Sequence, residues 1–226
     1  YFSTGDEVLS LGEAPREGAV YDSNRFTVFG LLTRMGCEVI DMGVVRDDPV
    51  RLEAAFAQAA QTADAIITSG GVSVGEADFT KAMMKKLGDV AFWKIAMRPG
   101  RPMAVGRIGK SVLFGLPGNP VAVMVTFLAF VRPALLRMMG STAQPAPLLR
   151  AKSLEPLRKK AGRTEYQRGF VTSAADGTLQ VRTTGNQGSG VLSSMVQGNG
   201  LIVLHHAQGN VAVGDEVDVL MFEGAI

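Results

Sequence analysis

The chain has 226 residues, which is long for one compact domain and leaves room for a large domain with a smaller one after it. Hydrophobic residues make up 46% and charged residues 19% of the sequence, a composition that excludes intrinsic disorder. The net charge is only +2, which argues against nucleic acid as the main partner. A single cysteine, Cys37, excludes a disulfide framework and a cysteine metal cluster, and two histidines argue against structural zinc.

The chain begins at Tyr1, without a methionine and inside an apolar strand-like stretch. This suggests a piece of a longer polypeptide that has no signal peptide at this point. The longest apolar run, 121–131, has 11 residues, whereas a membrane-spanning helix needs about 20. We therefore expect a buried helix there, and a soluble, cytoplasmic protein with no membrane partner.

Up to about Thr142, short apolar strands alternate with amphipathic helices. Asp22 and Asp48 stand where helix N-caps are expected, Pro49 suits the first turn of the second helix, and a third helix follows Asp78. The residues expected to face the core from these three helices, in order, are Val28, Leu31, Leu32 and Met35; Leu52, Ala55, Phe56 and Ala59; and Phe79, Ala82, Met83 and Leu87.

Strands are predicted between and after these helices, and most are apolar throughout. They are Glu38–Ile40, Ala65–Thr68, Val90–Met97, Pro102–Val105 and Ser111–Phe114. Apolar strands that alternate with helices are typical of a mainly parallel sheet covered on both faces. Residues 1–143 therefore predict a three-layer α/β domain.

The pattern changes after a proline-rich connection at residues 143–147. Short alternating segments separated by glycine turns predict strands at Tyr166–Thr172, Leu179–Thr183, Leu201–Leu204 and Glu216–Leu220. No helical stripe occurs in this part of the sequence. We expect a small all-β domain, a barrel or a sandwich, over residues 147–226.

Four loops are rich in polar side chains, and three of them also contain glycine: Ser3–Glu7, Arg46–Pro49, Thr68–Asp78 and Leu116–Pro120. In open α/β sheets ligands bind beyond the carboxyl ends of the strands, where such loops lie. Glycine-rich backbone and helix N-termini favour anions, so the loops predict phosphate binding. Each loop alone is more often only a tight turn, but four together indicate a ligand site. A valine at Gly71 is expected to weaken binding and to leave the fold intact.

The same loops carry the carboxylates Asp6, Glu7, Asp47, Asp48, Glu76 and Asp78. Carboxylates beside a phosphate-binding backbone suggest a bridging divalent cation, and Mg²⁺ prefers such oxygen ligands. The alternative for Asp48 and Asp78 is that they only cap helices.

Cationic side chains follow the loops. Strand alternation places Lys94, Ala96 and Arg98 on one face of the segment, where two cations suit a polyanionic ligand. The alternative is a solvated edge. In the all-β part, Arg168 and the loop Thr184–Ser189 are further candidates, and an ordinary β-turn is the alternative for the loop.

Taken in order, these motifs resemble the molybdopterin molybdenumtransferase family, to which the E domain of gephyrin belongs. The family pattern also has two N-terminal domains that this sequence lacks. The matching segments are Ser3–Glu7, Tyr21–Asn24, Gly36–Val39, Arg46–Pro49, Ser69–Gly75, Asp78–Lys81, Pro99–Pro102, Leu116–Pro120, Gln167–Gly169 and Gly185–Ser189.

The resemblance implies an α/β molybdopterin-binding domain followed by a C-terminal β-barrel, in a homodimer with its active site at the subunit interface. It implies that adenylylated molybdopterin and molybdate give molybdenum cofactor and AMP with Mg²⁺, and it suggests contact with the molybdopterin adenylyltransferase. The implied catalytic residues are Glu7, Asp47, Asp78, Lys94 and Arg98, with Asp47 and Asp78 also as metal ligands. The implied molybdopterin- and phosphate-binding residues are Thr4, Gly5, Ser69, Gly70, Gly71, Ser73, Pro117, Gly118, Asn119, Pro120, Arg168 and Ser189.

One departure and two other functions bear on this interpretation. Many relatives have lysine where Arg98 and Arg101 stand here, and arginine binds oxyanions through a planar fork rather than as a point charge. A molybdopterin adenylyltransferase would share the α/β domain but not the β domain. A non-catalytic, gephyrin-like binding scaffold is the second alternative.

Overall fold

The structure, a computed structural model, describes residues 1–72, 79–142 and 144–222. The chain divides into two compact units, one made of Tyr1–Ile95 and Gly100–Met124 and the other of Ala96–Pro99 and Val125–Ile226. The division gives the segment after Met124 to the second unit, and the domain limits 1–143 and 147–226 stay a prediction.

A six-stranded sheet forms the centre of the first unit. The elements up to residue 126 are β1 (Phe2–Thr4), β2 (Val8–Leu9), β3 (Val20–Tyr21), α1 (Ser23–Arg34), β4 (Val44–Val45), α2 (Pro49–Thr62), β5 (Ala65–Ser69), α3 (Phe79–Leu87), β6 (Asp89–Lys94), β7 (Met97–Arg98, in the second unit), β8 (Pro102–Ile108), β9 (Ser111–Leu116) and α4 (Pro120–Thr126). The strand order is β4-β1-β5-β9-β8-β6, parallel from β4 to β9 and antiparallel on both sides of β8. This confirms the mainly parallel sheet.

Helices α1 and α2 begin where their caps predicted, and Asp78, the cap expected for α3, lies outside the described residues. Asp22 accepts a hydrogen bond from the Arg25 N–H at 3.0 Å, and Asp48 accepts one from the Arg51 N–H at 2.8 Å. All four residues predicted for the α2 stripe are buried, and α2 packs on one face of the sheet, where Phe56 meets Phe2 edge to face at 5.0 Å. Three of the four predicted α1 residues are buried as well.

Two predictions for this unit are wrong. Residues 38–40 form no strand, because the chain runs beside β1 only from Ile40 and turns at Gly43, whose φ is +73°, so the ladder starts at Val44. The buried face of α3 is shifted: Thr80 and Met84 are buried, while Phe79 and Ala82, expected inside, are exposed. Gly71 packs against Thr80, which turns that side of the helix inward.

The apolar helix is longer than its apolar run. It starts as α4, passes through a π-helical segment at Phe127–Val131 and continues as α5 (Arg132–Met138). A π-helical turn is one of the ways in which a helix accommodates an interruption, and here it ends two residues before Pro133, which has no N–H to donate. By length and composition the helix could cross a membrane, although core helices of soluble proteins meet the same test and 56% of it is buried.

The second unit contains a closed β-barrel. Its further elements are β10 (Leu149–Ser153), β11 (Thr164–Ser173), β12 (Leu179–Thr183), α6 (Ser193–Gln197), β13 (Gly200–Leu204) and β14 (Glu216–Met221). The order β12-β10-β14-β13-β11 closes through a β11–β12 pairing, and β7 adds to β11 in parallel. Apolar side chains such as Val181, Ile202 and Val219 fill the interior. The barrel and four of its strands were predicted; β10 and the short helix α6 were not.

Candidate functional site

Three loops of the first unit meet at the carboxyl ends of β1, β5 and β9. The Gly70 N–H donates to the Leu116 carbonyl at 3.2 Å. A Cβ on Gly70 would lie 2.4 Å from the Thr4 carbonyl oxygen, and one on Gly118 would lie 4.0 Å from the Gly70 Cα. Because these backbones touch, only glycine fits at residue 70. We call the segments 4–7, 69–71 and 116–120 the loop edge.

The loop edge rests on a ring of buried hydroxyl groups. The Tyr1 hydroxyl lies 2.7 Å from Ser3 Oγ and 2.6 Å from Ser69 Oγ, and the two serine oxygens are 3.1 Å apart. Burial raises the pKa of the Tyr1 phenol above its usual value, so the ring is neutral. In such a ring, each of the three hydroxyls can donate a hydrogen bond to one neighbour and accept one from the other. The Ser69 side chain, predicted to bind phosphate, therefore lies in this ring beneath the loop.

In the loop Ser3–Glu7, Gly5 packs against the Glu7 carboxylate, and Arg46 holds the loop in place. Gly5 has a φ of +137°, and a Cβ there would lie 2.7 Å from a Glu7 carboxylate oxygen. Arg46 donates to the Asp6 carbonyl at 2.9 Å, to the Val8 carbonyl at 2.8 Å and to a Glu13 carboxylate oxygen at 3.0 Å. These contacts fix the position of Glu7 without using its carboxylate as an acceptor for Arg46.

Asp47 lies beside this loop. Its N–H donates to Asp6 Oδ1 at 3.2 Å, and the next residue, Asp48, caps α2. Capping, which was the alternative for Asp48, is therefore confirmed. The Glu7 side chain is exposed at the loop edge, and the half-buried Asp47 lies beside it.

The Pro117–Pro120 loop is anchored from both ends. The Asn24 side chain, from the first turn of α1, donates to the Gly118 carbonyl at 2.7 Å. The Asn119 carbonyl accepts the first helical hydrogen bond, from the Val123 N–H at 3.0 Å. Pro117 is buried and Gly118 and Asn119 are exposed, so the loop presents its backbone to solvent. Asn24 belongs to the motif Tyr21–Asn24, and its contact with this loop was not predicted.

Gly71 has a steric role that the sequence did not reveal. Its φ is +65°, and a Cβ there would lie 2.5–2.6 Å from the Thr80 side chain. A valine at this position therefore disturbs the packing of the first unit, and the expectation that the fold would tolerate it is wrong.

Two predicted site residues, Ser73 and Asp78, lie outside the described residues, and two others belong to different sheets. Lys94 ends β6 in the first sheet, whereas Arg98 lies in β7, which pairs with β11 of the barrel. The prediction of one alternating strand through Lys94, Ala96 and Arg98 is wrong, because the chain leaves the first sheet after Lys94.

A second cluster of candidates surrounds Arg168 in the second unit. A cavity of about 300 Å³ is lined by three arginines, two glutamates and neighbouring polar groups. We call it the arginine pocket; its charged members are Arg98, Arg158, Arg168, Glu155 and Glu165. Arg168 is 1% exposed, the largest fully buried side chain in the described part of the chain.

The charge of Arg168 is poorly compensated. Burial, followed by repulsion from Arg98, lowers the pKa of the Arg168 guanidinium to about 10. The two carboxylates of the pocket are engaged elsewhere: Glu165 with Arg163 at 2.7 Å, and Glu155 with the Thr183 N–H at 2.6 Å. A buried cation without a carboxylate partner favours an incoming anion. Ser189 follows Gly188, whose carbonyl accepts from Arg168 at 3.1 Å.

No group of three or more His, Cys, Asp or Glu side chains placed to hold a metal ion is found within the described ranges. Mg²⁺ is usually held by one or two protein carboxylates together with phosphate oxygens and water. The carboxylates at the loop edge fit that smaller requirement.

Comparisons with known proteins match the chain over nearly its whole length. Residues 1–137 match the family described as "Probable molybdopterin binding domain", and residues 150–222 match "MoeA C-terminal region (domain IV)". A "Molybdopterin molybdenumtransferase" of Haemophilus influenzae is 45% identical over 221 residues, 97% of this chain and 55% of that protein. "Gephyrin" of Dictyostelium discoideum is 30% identical over 254 residues, 97% of this chain and 35% of that protein.

A solved structure shows the same arrangement of elements. The crystal structure of a "molybdopterin biosynthesis moea protein" from Pyrococcus horikoshii has a TM-score of 0.79 at 28% identity, and the match covers 98% of this chain and 53% of that one. The chain thus spans about half, or less, of the length of the relatives it matches.

Proposed function

We propose a function from one premise: the chain belongs to the family of probable molybdopterin binding domains, as its sequence motifs indicated. Its relatives named as molybdopterin molybdenumtransferases support a role in molybdenum cofactor biosynthesis. We propose that the protein reacts adenylylated molybdopterin with molybdate and releases AMP, as a cytoplasmic homodimer whose active site lies at the subunit interface. Contact with the molybdopterin adenylyltransferase, which makes the substrate, belongs to the same proposal.

The observation that carries the proposal is the buried guanidinium of Arg168. Burial, followed by repulsion from Arg98, lowers the pKa of Arg168 to about 10, so Arg168 is charged at neutral pH, and Arg98 adds a second basic side chain to the same pocket. An oxyanion such as molybdate would relieve this repulsion and accept charge-assisted hydrogen bonds. The arginine pocket is therefore the proposed molybdate-binding part of the site, with Ser189 beside it.

The loop edge is the proposed binding surface for the phosphate groups of the adenylylated pterin. Gly118 is exposed and lets the ligand approach the backbone closely, whereas Gly70 lets the Thr4 segment pack against it. The start of α4 at Pro120 places a helix N-terminus beside the loop. Thr4, Gly5, Gly71 and Asn119 belong to the same surface. Ser73, outside the described residues, and Ser69, inside the hydroxyl ring, are kept only as proposals.

Acidic residues would act on the leaving group. We propose that Asp47 and Asp78 hold Mg²⁺, which when bound would neutralise charge on the phosphoryl oxygens. Arg46 holds the loop that carries Glu7, and we propose that Glu7 orients a reacting group or accepts its proton. Lys94, exposed at the end of β6, is the proposed cation for the departing AMP phosphate.

The test is an assay of the full-length protein with adenylylated molybdopterin, molybdate and Mg²⁺. We expect AMP release with formation of molybdenum cofactor. Arg168→Gln should raise the KM for molybdate at least about tenfold, since a hydrogen bond to a charged group contributes about 1.5–3 kcal/mol. Arg182→Gln, an exposed barrel arginine that stacks on Phe170, is the matched control and should behave as wild type.

Other outcomes separate the alternatives. Adenylylation of unmodified molybdopterin from ATP would identify an adenylyltransferase instead. Ligand binding without turnover of any substrate by the intact protein would favour a scaffold. If Asp47→Asn releases AMP like wild type at limiting Mg²⁺, the metal role of Asp47 is refuted.

A further inference from the structure

The guanidinium of Arg168 is held in one orientation by uncharged groups. Its Nε–H donates to Ser194 Oγ at 2.9 Å, and its Nη2 donates to the carbonyls of Gly188 at 3.1 Å and Asn186 at 3.4 Å. These bonds involve Nε and Nη2. Of the five N–H bonds that an arginine side chain carries, the two on Nη1 make no hydrogen bond within the described part of the chain.

Ser194 can only be an acceptor toward this arginine. The residue is 1% exposed, and its own hydroxyl proton goes to the Val191 carbonyl at 2.6 Å. The lone pairs of the Ser194 oxygen therefore point to Arg168. Because Nε lies at the root of the guanidinium plane, fixing its N–H fixes the rotation of the whole group.

The backbone of Arg168 is held as firmly as its side chain. The Gln187 side chain accepts from the Arg168 N–H at 2.7 Å and donates to the Arg168 carbonyl at 3.1 Å. Gln187 thus fixes where the side chain starts, and Ser194 fixes how its end is turned. Both contacts come from the segment between β12 and β13, so one loop positions the arginine twice.

We propose that Ser194 is a positioning residue for oxyanion binding: it orients the Arg168 guanidinium so that the Nη1 side faces the arginine pocket. The proposal rests on the proposed function, because it assumes that Arg168 binds the oxyanion. Ser194 does not touch the ligand itself. Its effect passes through the hydrogen bond to Nε.

The experiment measures binding of molybdate, with tungstate as a second probe, to the full-length protein by calorimetry. Ser194→Ala removes the acceptor and should weaken oxyanion affinity about tenfold, because the Arg168 guanidinium is then no longer held facing the pocket. Ser111→Ala is the matched control: Ser111 is also fully buried and also donates to a backbone carbonyl, that of Ala63 at 2.5 Å. It should lower stability similarly and leave affinity unchanged.

A spectroscopic readout separates positioning from a general structural effect. The Nε–H resonance of Arg168 should shift and exchange faster with solvent in Ser194→Ala, and stay as in wild type in Ser111→Ala. If Ser194→Ala does not fold, Ser194→Cys provides the same test, because sulfur is a poor acceptor of similar size.

The outcomes separate this inference from its premise. Weaker binding with a shifted Nε–H resonance supports the positioning role. Wild-type affinity in Ser194→Ala, while Arg168→Gln loses binding, overturns the inference and leaves the proposed function intact. Wild-type affinity in Arg168→Gln, or no oxyanion binding by the wild-type protein, overturns both.

Discussion

Replacing Gly71 with alanine should destabilise the first unit more than its backbone conformation alone requires. A φ of +65° costs a non-glycine residue about 1–2 kcal/mol. The new Cβ would also lie 2.5–2.6 Å from three atoms of the Thr80 side chain, and overpacking of this kind costs about 1–3 kcal/mol. We expect a total loss of about 3 kcal/mol in the free energy of unfolding.

Two further glycines separate these contributions. Gly109 has a φ of +58° with open space around its Cβ position, so Gly109→Ala carries the conformational cost alone. The loss of unfolding free energy in Gly71→Ala should exceed the loss in Gly109→Ala by about 2 kcal/mol. Thr80→Gly should recover most of that excess, because it removes the atoms that clash. It should not rescue Gly70→Ala, whose Cβ would meet the Thr4 backbone carbonyl at 2.4 Å.

Urea unfolding gives the free energies, and the single tryptophan, Trp93 in β6, assigns the transition to the first unit. The four single variants and the two double variants form two mutant cycles. If Gly71→Ala loses no more unfolding free energy than Gly109→Ala, or if Thr80→Gly does not restore the stability of Gly71→Ala, the clash with Thr80 is not what requires glycine at residue 71.

Three other predictions follow from caps and charges. Asp48→Ala should lower the unfolding free energy by about 1 kcal/mol in urea titrations and Asp48→Asn should not, because asparagine also caps; equal losses would contradict the capping role. His205, followed by Arg150, lowers the pKa of Asp218, so the stability from this cluster is present above the unfolded pKa and lost as pH falls through the folded one. Asp218→Asn should therefore flatten the fall in stability at acid pH. The change should be less than about 1 kcal/mol, because His205 and Arg150 are exposed. An unchanged fall in stability at acid pH would contradict this role of Asp218. Oxyanion binding should raise the lowered pKa of Arg168, so calorimetry in different buffers should show proton uptake near pH 10 and none at pH 7; no uptake at pH 10 would mean that Arg168 does not bind the anion.

Local patterns predicted the parts of the fold that local forces decide. The α2 stripe, the caps Asp22 and Asp48 and the strand β5 follow from spacing and cap chemistry, and all were confirmed. Residues 38–40 were predicted as a strand but are not part of one, because the ladder with β1 starts only at Val44, beyond Gly43. Register between distant segments is not encoded in the composition of either one.

The candidate site shows the same limit. The glycine loops were found because backbone approach demands glycine, a signal visible at single residues. The lack of a carboxylate partner for the buried Arg168 was not visible in the sequence. It arises because Glu165 pairs with Arg163 and because Arg168 bonds to Ser194, which lies 26 positions further along the chain. Alternation also failed from Lys94 to Arg98, because alternation assumes one continuous strand, and the chain changes sheets between them.

The strand β7 makes the barrel unit a poor candidate for modular exchange. Met97 and Arg98 are synthesised well before Thr164 and Glu165, with which they pair, and the return of the chain to the first sheet at Pro102 lies between. A recombination event that transferred only the contiguous barrel sequence would leave behind the strand that carries Arg98. Gene fusions and rearrangements that preserve function should therefore keep the two units together, with break points before β1 or after β14.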